Sequence, residues 1–169
     1  AFTLVEIIVV LIMLTILVTL AIPSFQSMIK NNQSVSLTNE LVSALNLTRS
    51  EAIKRGLSVS ICAASDSSLT TCGTNWENGW LIFTNPNEDN TYANNTNEVL
   101  LKVQQITDTN ISITTTPSLG IVTYQSTGFP LAANNNLAFS VKAIGCTSNN
   151  ASTITINPTG RIASTPTAC

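Results

Sequence analysis

Several groups of residues in this 169-residue chain have types and spacings that could do chemistry. Cysteines stand at Cys62, Cys72, Cys146 and Cys169, and the chain contains no histidine. Without histidine, zinc sites of the Cys2His2 type and Ser-His or Cys-His catalysis are excluded. No two cysteines form a C-x-x-C pair, which sets aside thioredoxin-like redox chemistry and zinc ribbons. The loop Asn85-Pro86-Asn87-Glu88-Asp89-Asn90 places oxygen ligands at alternating positions, which suits calcium. It lacks the sixth-position glycine and twelfth-position glutamate of an EF-hand loop, so a solvated turn is the expected reading. Trp76 and Trp80 flank a tight turn; core packing of at least one outweighs an exposed partner-binding pair. No nucleophile elbow, phosphate loop or spaced carboxylate pair appears. The sequence therefore points away from an enzyme, a metal site or a cofactor.

Crosslinking is the chemistry left to the cysteines. An even count behind a membrane-length apolar segment suggests disulfides made in an oxidising compartment. Three connectivities exist. Cys62–Cys72 with Cys146–Cys169 closes two short local loops and is the expected pairing, each bond contributing about 2–4 kcal/mol.

The remaining chemical oddity is Glu6. It stands beside an otherwise uncharged apolar run from Ile7 to Pro23. As a helix, Phe2 to Pro23 spans about 30 Å, the thickness of a bilayer's hydrocarbon core. A carboxylate there costs about 2.5–3.5 kcal/mol on insertion scales. The segment lacks a basic leader and a small-x-small cleavage site, so it does not read as a secretory signal peptide. An ordinary membrane anchor has no use for the glutamate.

The elements that position these residues are set by periodicity. Leu37, Leu41, Leu45, Thr48 and Ala52, with Ala44 beside them, recur at steps of three and four and mark one helical stripe. Asn39, Glu40, Asn46, Arg49 and Arg55 fall on the opposite face. Lys54 and Arg55 suit a helix C-terminus, and Gly56 supplies the stop. Pro23 is expected to kink the rod without ending it. Beyond Leu57 the period changes to two. LSVSICAA, GWLIFTN, EVLLKVQQI, ISITTT, IVTYQST, LAFSVKAI and STITINPTG read as seven short strands separated by turn-rich stretches. The fold class is α+β: a long N-terminal helix, apolar in its first half and amphipathic in its second, packed on an antiparallel β-sandwich or rolled sheet. Residues 1–23 form the apolar segment, 24–56 the amphipathic helix, and 57–169 the disulfide-braced β-domain.

Charge narrows the partners. The net charge is −2 and only 9% of residues are charged. Lys30, Arg49, Lys54 and Arg55 against Glu40 and Glu51 give residues 24–55 a net +2. Lys102, Lys142 and Arg161 against six acids give residues 56–169 a net −3. Such a domain exerts little pull on nucleic acid or acidic lipid.

The run Ala1-Phe2-Thr3-Leu4-Val5-Glu6, followed by about sixteen apolar residues and Pro23, resembles the N-terminal signature of type IV pilins and type II secretion pseudopilins. NELVSALNLTRSEAIKRG, the Cys62 strand with Cys72 behind it, NGWLIF, and the ending INPTGRI with a terminal Cys169 are similar to the GspH/FimT branch. The resemblance implies that a prepilin peptidase cuts before Phe2, which is then N-methylated. Ala1 would occupy the position before the cut, where glycine is usual. It implies that Phe2, Glu6 and Pro23 serve subunit assembly, with Glu6 pairing the N-terminal amine of a neighbouring subunit. The expected function is a structural pilin subunit that polymerises through its helix. Its partners would be copies of itself and other pilins, and it would pass from the bacterial inner membrane to an extracellular filament. Two alternatives stand beside it: a low-copy FimT-like minor pilin for priming or DNA capture, and a GspH-like pseudopilin of type II secretion. Arg161 in Gly160-Arg161-Ile162 is similar to the start of a basic GRxR tail used for DNA, but Ala163 replaces the second cation. An ordinary surface arginine is the stronger reading.

Overall fold

The protein is described by a computed structural model covering residues 3–93, 96–134 and 136–169. One helix, α1, runs from Leu4 to Arg55, which at 1.5 Å per residue makes a rod of about 78 Å. Its start is set by a cap that the hydropathy pattern concealed. Thr3 is extended, and its Oγ1 accepts the Glu6 backbone N–H at 3.2 Å. Thr3-x-x-Glu6 is thus the sequence form of a capping box, with the acid in the first turn where the helix dipole favours it. The rod continues through position 23; the Pro23 side chain lies outside the described residues. It ends at Gly56, whose φ of 68° is left-handed and whose N–H bonds to the Ala52 carbonyl. Glycine tolerates that conformation without a Cβ penalty.

Among the described residues, eight strands come after the helix: β1 (Val59–Ala63), β2 (Gly79–Thr84), β3 (Leu100–Gln105), β4 (Ile111–Thr116), β5 (Ile121–Tyr124), β6 (Leu137–Ala143), β7 (Ala151–Ile156) and β8 (Ile162–Thr167). They form two antiparallel four-stranded sheets, ordered β3-β2-β1-β5 and β4-β6-β7-β8. The last strand was not visible in the periodicity. IASTPT holds a proline and few apolar residues, and it becomes a strand because it can ladder onto β7 at the sheet's edge.

Both sheets pack on the second half of α1, chiefly through β1, β6 and β7. The helical stripe enters this core completely: Leu37, Leu41, Ala44, Leu45, Thr48 and Ala52 are all buried. Thr48 is tolerated there because its hydroxyl bonds to the Ala44 carbonyl at 2.8 Å. Trp76 and Trp80 are both buried, and the Trp76 ring meets Phe139 edge-on, centroids 4.9 Å apart. A smaller apolar cluster of Cys62, Leu81, Phe83, Tyr92 and Ile121 covers the other face of the first sheet.

The two halves of α1 predict opposite responses to one substitution. Leu45→Ala, in the core, should destabilise the domain by about 2–5 kcal/mol. Leu14→Ala, on the exposed half, should leave the domain's thermal midpoint unchanged. Thermal denaturation of the full chain in detergent reads both.

Candidate assembly site

Every described residue from Thr3 to Gln26 is exposed, and the stretch is dominated by Leu, Ile and Val. Its hydroxyls do not disturb this apolar surface. Thr15 Oγ1 donates to the Ile12 carbonyl at 2.7 Å, and Thr19 Oγ1 to the Ile16 carbonyl at 2.8 Å. A helix that satisfies its own backbone and hydroxyls is the form an apolar solvent accepts. Glu6 stands apart: it is exposed, and no ion pair or side-chain hydrogen bond joins its carboxylate to another described residue. Ala1 and Phe2, the residues of the processing signature, lie outside the described residues. Among the described residues, the apolar half thus presents a surface without a partner and one charge without a counter-charge.

Where the domain meets the rod, side chains of α1 fix its position. The Ala143 N–H donates to the buried Ser34 Oγ at 2.7 Å, and Thr147 N–H to Asn31 Oδ1 at 3.2 Å. Toward the other end Arg49 acts as a clamp. Its Nε donates to the Gly128 carbonyl at 3.0 Å and its guanidinium to the Thr159 carbonyl at 3.2 Å. The helical period had placed Arg49 on the face opposite the apolar stripe. Gly160 permits this approach, since a Cβ there would lie 2.3 Å from the Gly128 oxygen and 3.2 Å from Arg49 Nε. The NPTGR stretch is a folded turn: Asn157 Oδ1 accepts from the Thr159 and Arg161 amides at 3.2 and 2.9 Å. Arg161 itself is exposed just before β8, and no ion pair or side-chain bond holds its guanidinium to the described residues. The structure gathers no second cation around it among the motif's residues.

Beside Arg49, Tyr124 is buried and its hydroxyl has no partner among the described residues. Burial pushes this phenol well above its usual range, against the opposing pull of the Arg49 cation. At the helix end, Arg55 Nε donates to Glu51 Oε2 at 2.6 Å and holds that carboxyl below its usual range.

Cys62 is joined to Cys72 and Cys146 to Cys169, with Cα separations of 5.6 and 5.9 Å. The first ties the loop after β1 to its strand. The second ties the C-terminus to the loop between β6 and β7. In the oxygen-rich loop the buried Asn85 Oδ1 has no hydrogen-bond partner among the described residues, while its acids are used within the domain. Asp89 Oδ1 accepts from the Thr91 amide at 3.1 Å, and Glu88 Oε1 accepts from Ser58 Oγ at 2.7 Å. No cluster suited to a metal occurs among the described residues.

The sequence model of the family described as Type II transport protein GspH matches residues 37–165, which is the last part of α1, from Leu37, and nearly all of the β-domain. No curated protein matches the chain in sequence. Among solved structures, the type IV minor pilin FimU of Pseudomonas aeruginosa is similar in fold in two crystal forms. One superposes with a TM-score of 0.62 at 20% identity, covering 80% of this chain and 90% of FimU. The other gives 0.58 at 21% identity, covering 78% and 91%.

The clamp and the exposed arginine should separate cleanly. Arg49→Ala removes two charge-assisted bonds and should cost about 1.5–3 kcal/mol, whereas Arg161→Ala should stay within about 0.5 kcal/mol of wild type. Denaturant titration measures both. Tyr124→Phe tests the buried phenol. Its native pKa lies above the unfolded value of about 10, so its contribution is complete below that pH. Above it the unfolded chain ionises while the native phenol does not, and stability falls. The phenylalanine variant should lose that alkaline slope.

Proposed function

The chain belongs to the GspH family, and from that membership and the bare half of α1 we propose that it is a structural filament subunit. It is held in the bacterial inner membrane by residues 1–23 before assembly, and joins an extracellular pilus-like filament by burying that segment among the helices of other subunits. The observation that carries this reading is the contrast within one helix. Residues 37–52 bury a complete stripe inside their own domain, while the described residues of 4–26 bury nothing. Uncovered apolar surface of that length needs lipid or other helices.

Glu6 supports the second destination. Lipid gives a carboxylate no counter-charge, but a helix bundle can supply one. The N-terminal amine of a neighbouring subunit, freed by a prepilin peptidase cutting before Phe2, is the partner this reading assigns. The same residues would fix axial register, as one polar position does in a coiled coil. Membership in this family makes the chain a structural subunit rather than an enzyme, and in the stretch Gly160-Arg161-Ile162-Ala163 Arg161 is the single cation.

A second reading, a low-copy subunit of a pilus tip or of a type II transport machine, is favoured by the description of the matched family. Abundance separates the two. Sheared surface filaments in which this chain is the dominant band support the main subunit; a trace component supports the low-copy reading.

The assembly proposal is tested by Glu6→Val. Membrane-fraction protein should be unchanged or increased, because the helix becomes more apolar. The amount in sheared filaments should fall at least about tenfold, since an unpaired buried cation costs about 3–5 kcal/mol. Assembly at the wild-type level would make Glu6 a bystander and remove the main argument for the proposal.

A further inference from the structure

Between Glu6 and Lys30 the chain carries no charged residue. Both lie on α1, and at 1.5 Å per residue they stand about 36 Å apart along it. A bilayer's hydrocarbon core is about 30 Å thick, and about 40–45 Å with its headgroups. Centred between the two charges, that core leaves each of them about 3 Å outside it, among the headgroups. A carboxylate and an ammonium both avoid hydrocarbon. In the membrane-held form the level of Lys30 is therefore set at one lipid surface.

Part of the β-domain lies at that same level. The turn after β6, Ala143-Ile144-Gly145-Cys146, is closed by the Cys146 N–H on the Ala143 carbonyl at 3.1 Å. Gly145 has a left-handed φ of 82°, and a Cβ on it would lie 2.6 Å from Lys30 Nζ, so the ammonium rests against the turn. The bonds from Ala143 to Ser34 and from Thr147 to Asn31 tie both sides of the turn to α1. The chain thus descends from the level of Ser34 to that of Asn31 and Lys30, toward the bare half of the rod. The Ile144 N–H is taken by the Asn110 carbonyl at 2.8 Å. The amides of residues 143, 144, 146 and 147 are all satisfied within the protein, as a surface poor in water requires. At the corner of this turn Ile144 is 54% exposed. Such corners ordinarily carry Gly, Pro, Asn, Asp or Ser, and an isoleucine gains there only if something apolar covers it. Phe25, Met28 and Ile29 are exposed on α1 just below, so the apolar surface of the rod leads up to the turn. The charges nearby are Lys30 and Lys142 against Asp108, whose loop reaches the turn through Asn110. This is not a polybasic patch.

We propose that before assembly the turn at Ile144 docks on the lipid surface that α1 leaves through. Ile144 enters the boundary between headgroups and acyl chains, and Lys30 pairs with a lipid phosphate. The inference rests on the membrane-held state given above. Lipid, and not a second subunit, is the occupant because the bilayer that fixes the height of Lys30 brings its own surface to the turn. With few charges at this end, the attraction is apolar insertion rather than net charge, and zwitterionic lipid suffices. The rod and the turn then hold the domain at two points of one surface.

The test uses the full chain in phosphatidylcholine vesicles, with one solvatochromic fluorescent side chain placed at Ile144, at Leu14 or at Phe129. Leu14, 54% exposed, lies within the apolar half of α1. Phe129, 48% exposed, follows the Gly128 carbonyl that Arg49 holds, about 28 Å farther along the rod than Lys30. Lipids brominated on the acyl chain close to the headgroup should quench the Ile144 probe at least about threefold more than the Phe129 probe, as insertion to interfacial depth requires. Lipids brominated deep in the chain should quench the Leu14 probe. An Ile144 probe quenched no more than Phe129, while Leu14 is quenched, overturns this proposal alone. So does an Ile144 probe that is blue-shifted but unquenched, because protein then covers it, or one quenched only when anionic phosphatidylglycerol is added. A Leu14 probe that no brominated lipid reaches overturns the membrane-held state and this proposal with it.

Discussion

The buried bond from the Ala143 amide to Ser34 Oγ marks the level at which α1 changes character. On its N-terminal side the described residues of the apolar half lie bare; beyond it, every third or fourth residue is inside a core. A single covalent rod therefore serves two environments. The domain must grip only its second half, or the first could not be surrendered to lipid or to other helices. Ser34 at one end and Arg49 at the other set where that grip begins and ends. Between them the leucines supply the energy, and the two polar contacts fix the position along the rod.

The remainder of the domain is built to hold this grip with few charges. Its surface is largely Asn, Ser and Thr, and short polar side chains bond to nearby backbone and close turns locally, as Asp89, Asn157 and Asn134 do. The disulfides brace the loop beside β1 and the C-terminus.

Much of the architecture was legible along the chain. The stripe from Leu37 to Ala52, the stop at Gly56, and runs such as LSVSICAA and LAFSVKAI arise from period and propensity, which act between near neighbours. The cysteine spacing left three pairings open and favoured the short-loop one, which the structure holds. Three features escaped such a reading. β8 has little propensity of its own and exists through its ladder to β7. The Thr3-x-x-Glu6 cap was present as a pattern, but it heads an apolar run whose hydropathy is the louder signal. Arg49 falls on the face opposite the apolar stripe, and its role as a clamp had no sequence signal.

By itself the sequence determined that a membrane-length apolar helix continues into an amphipathic one, that a β-domain with an even set of cysteines lies beyond it, and that histidine-dependent chemistry is excluded. These are matters of composition and of interactions a few residues long. Only the tertiary structure decided which polar residues are structural and which are free to act. Arg49 meets Gly128 and Thr159 across 79 and 110 residues, and Glu40 comes to share a groove with Lys102 only when the first sheet is laid beside the helix. No local pattern encodes such meetings, because they depend on how two sheets close around one rod.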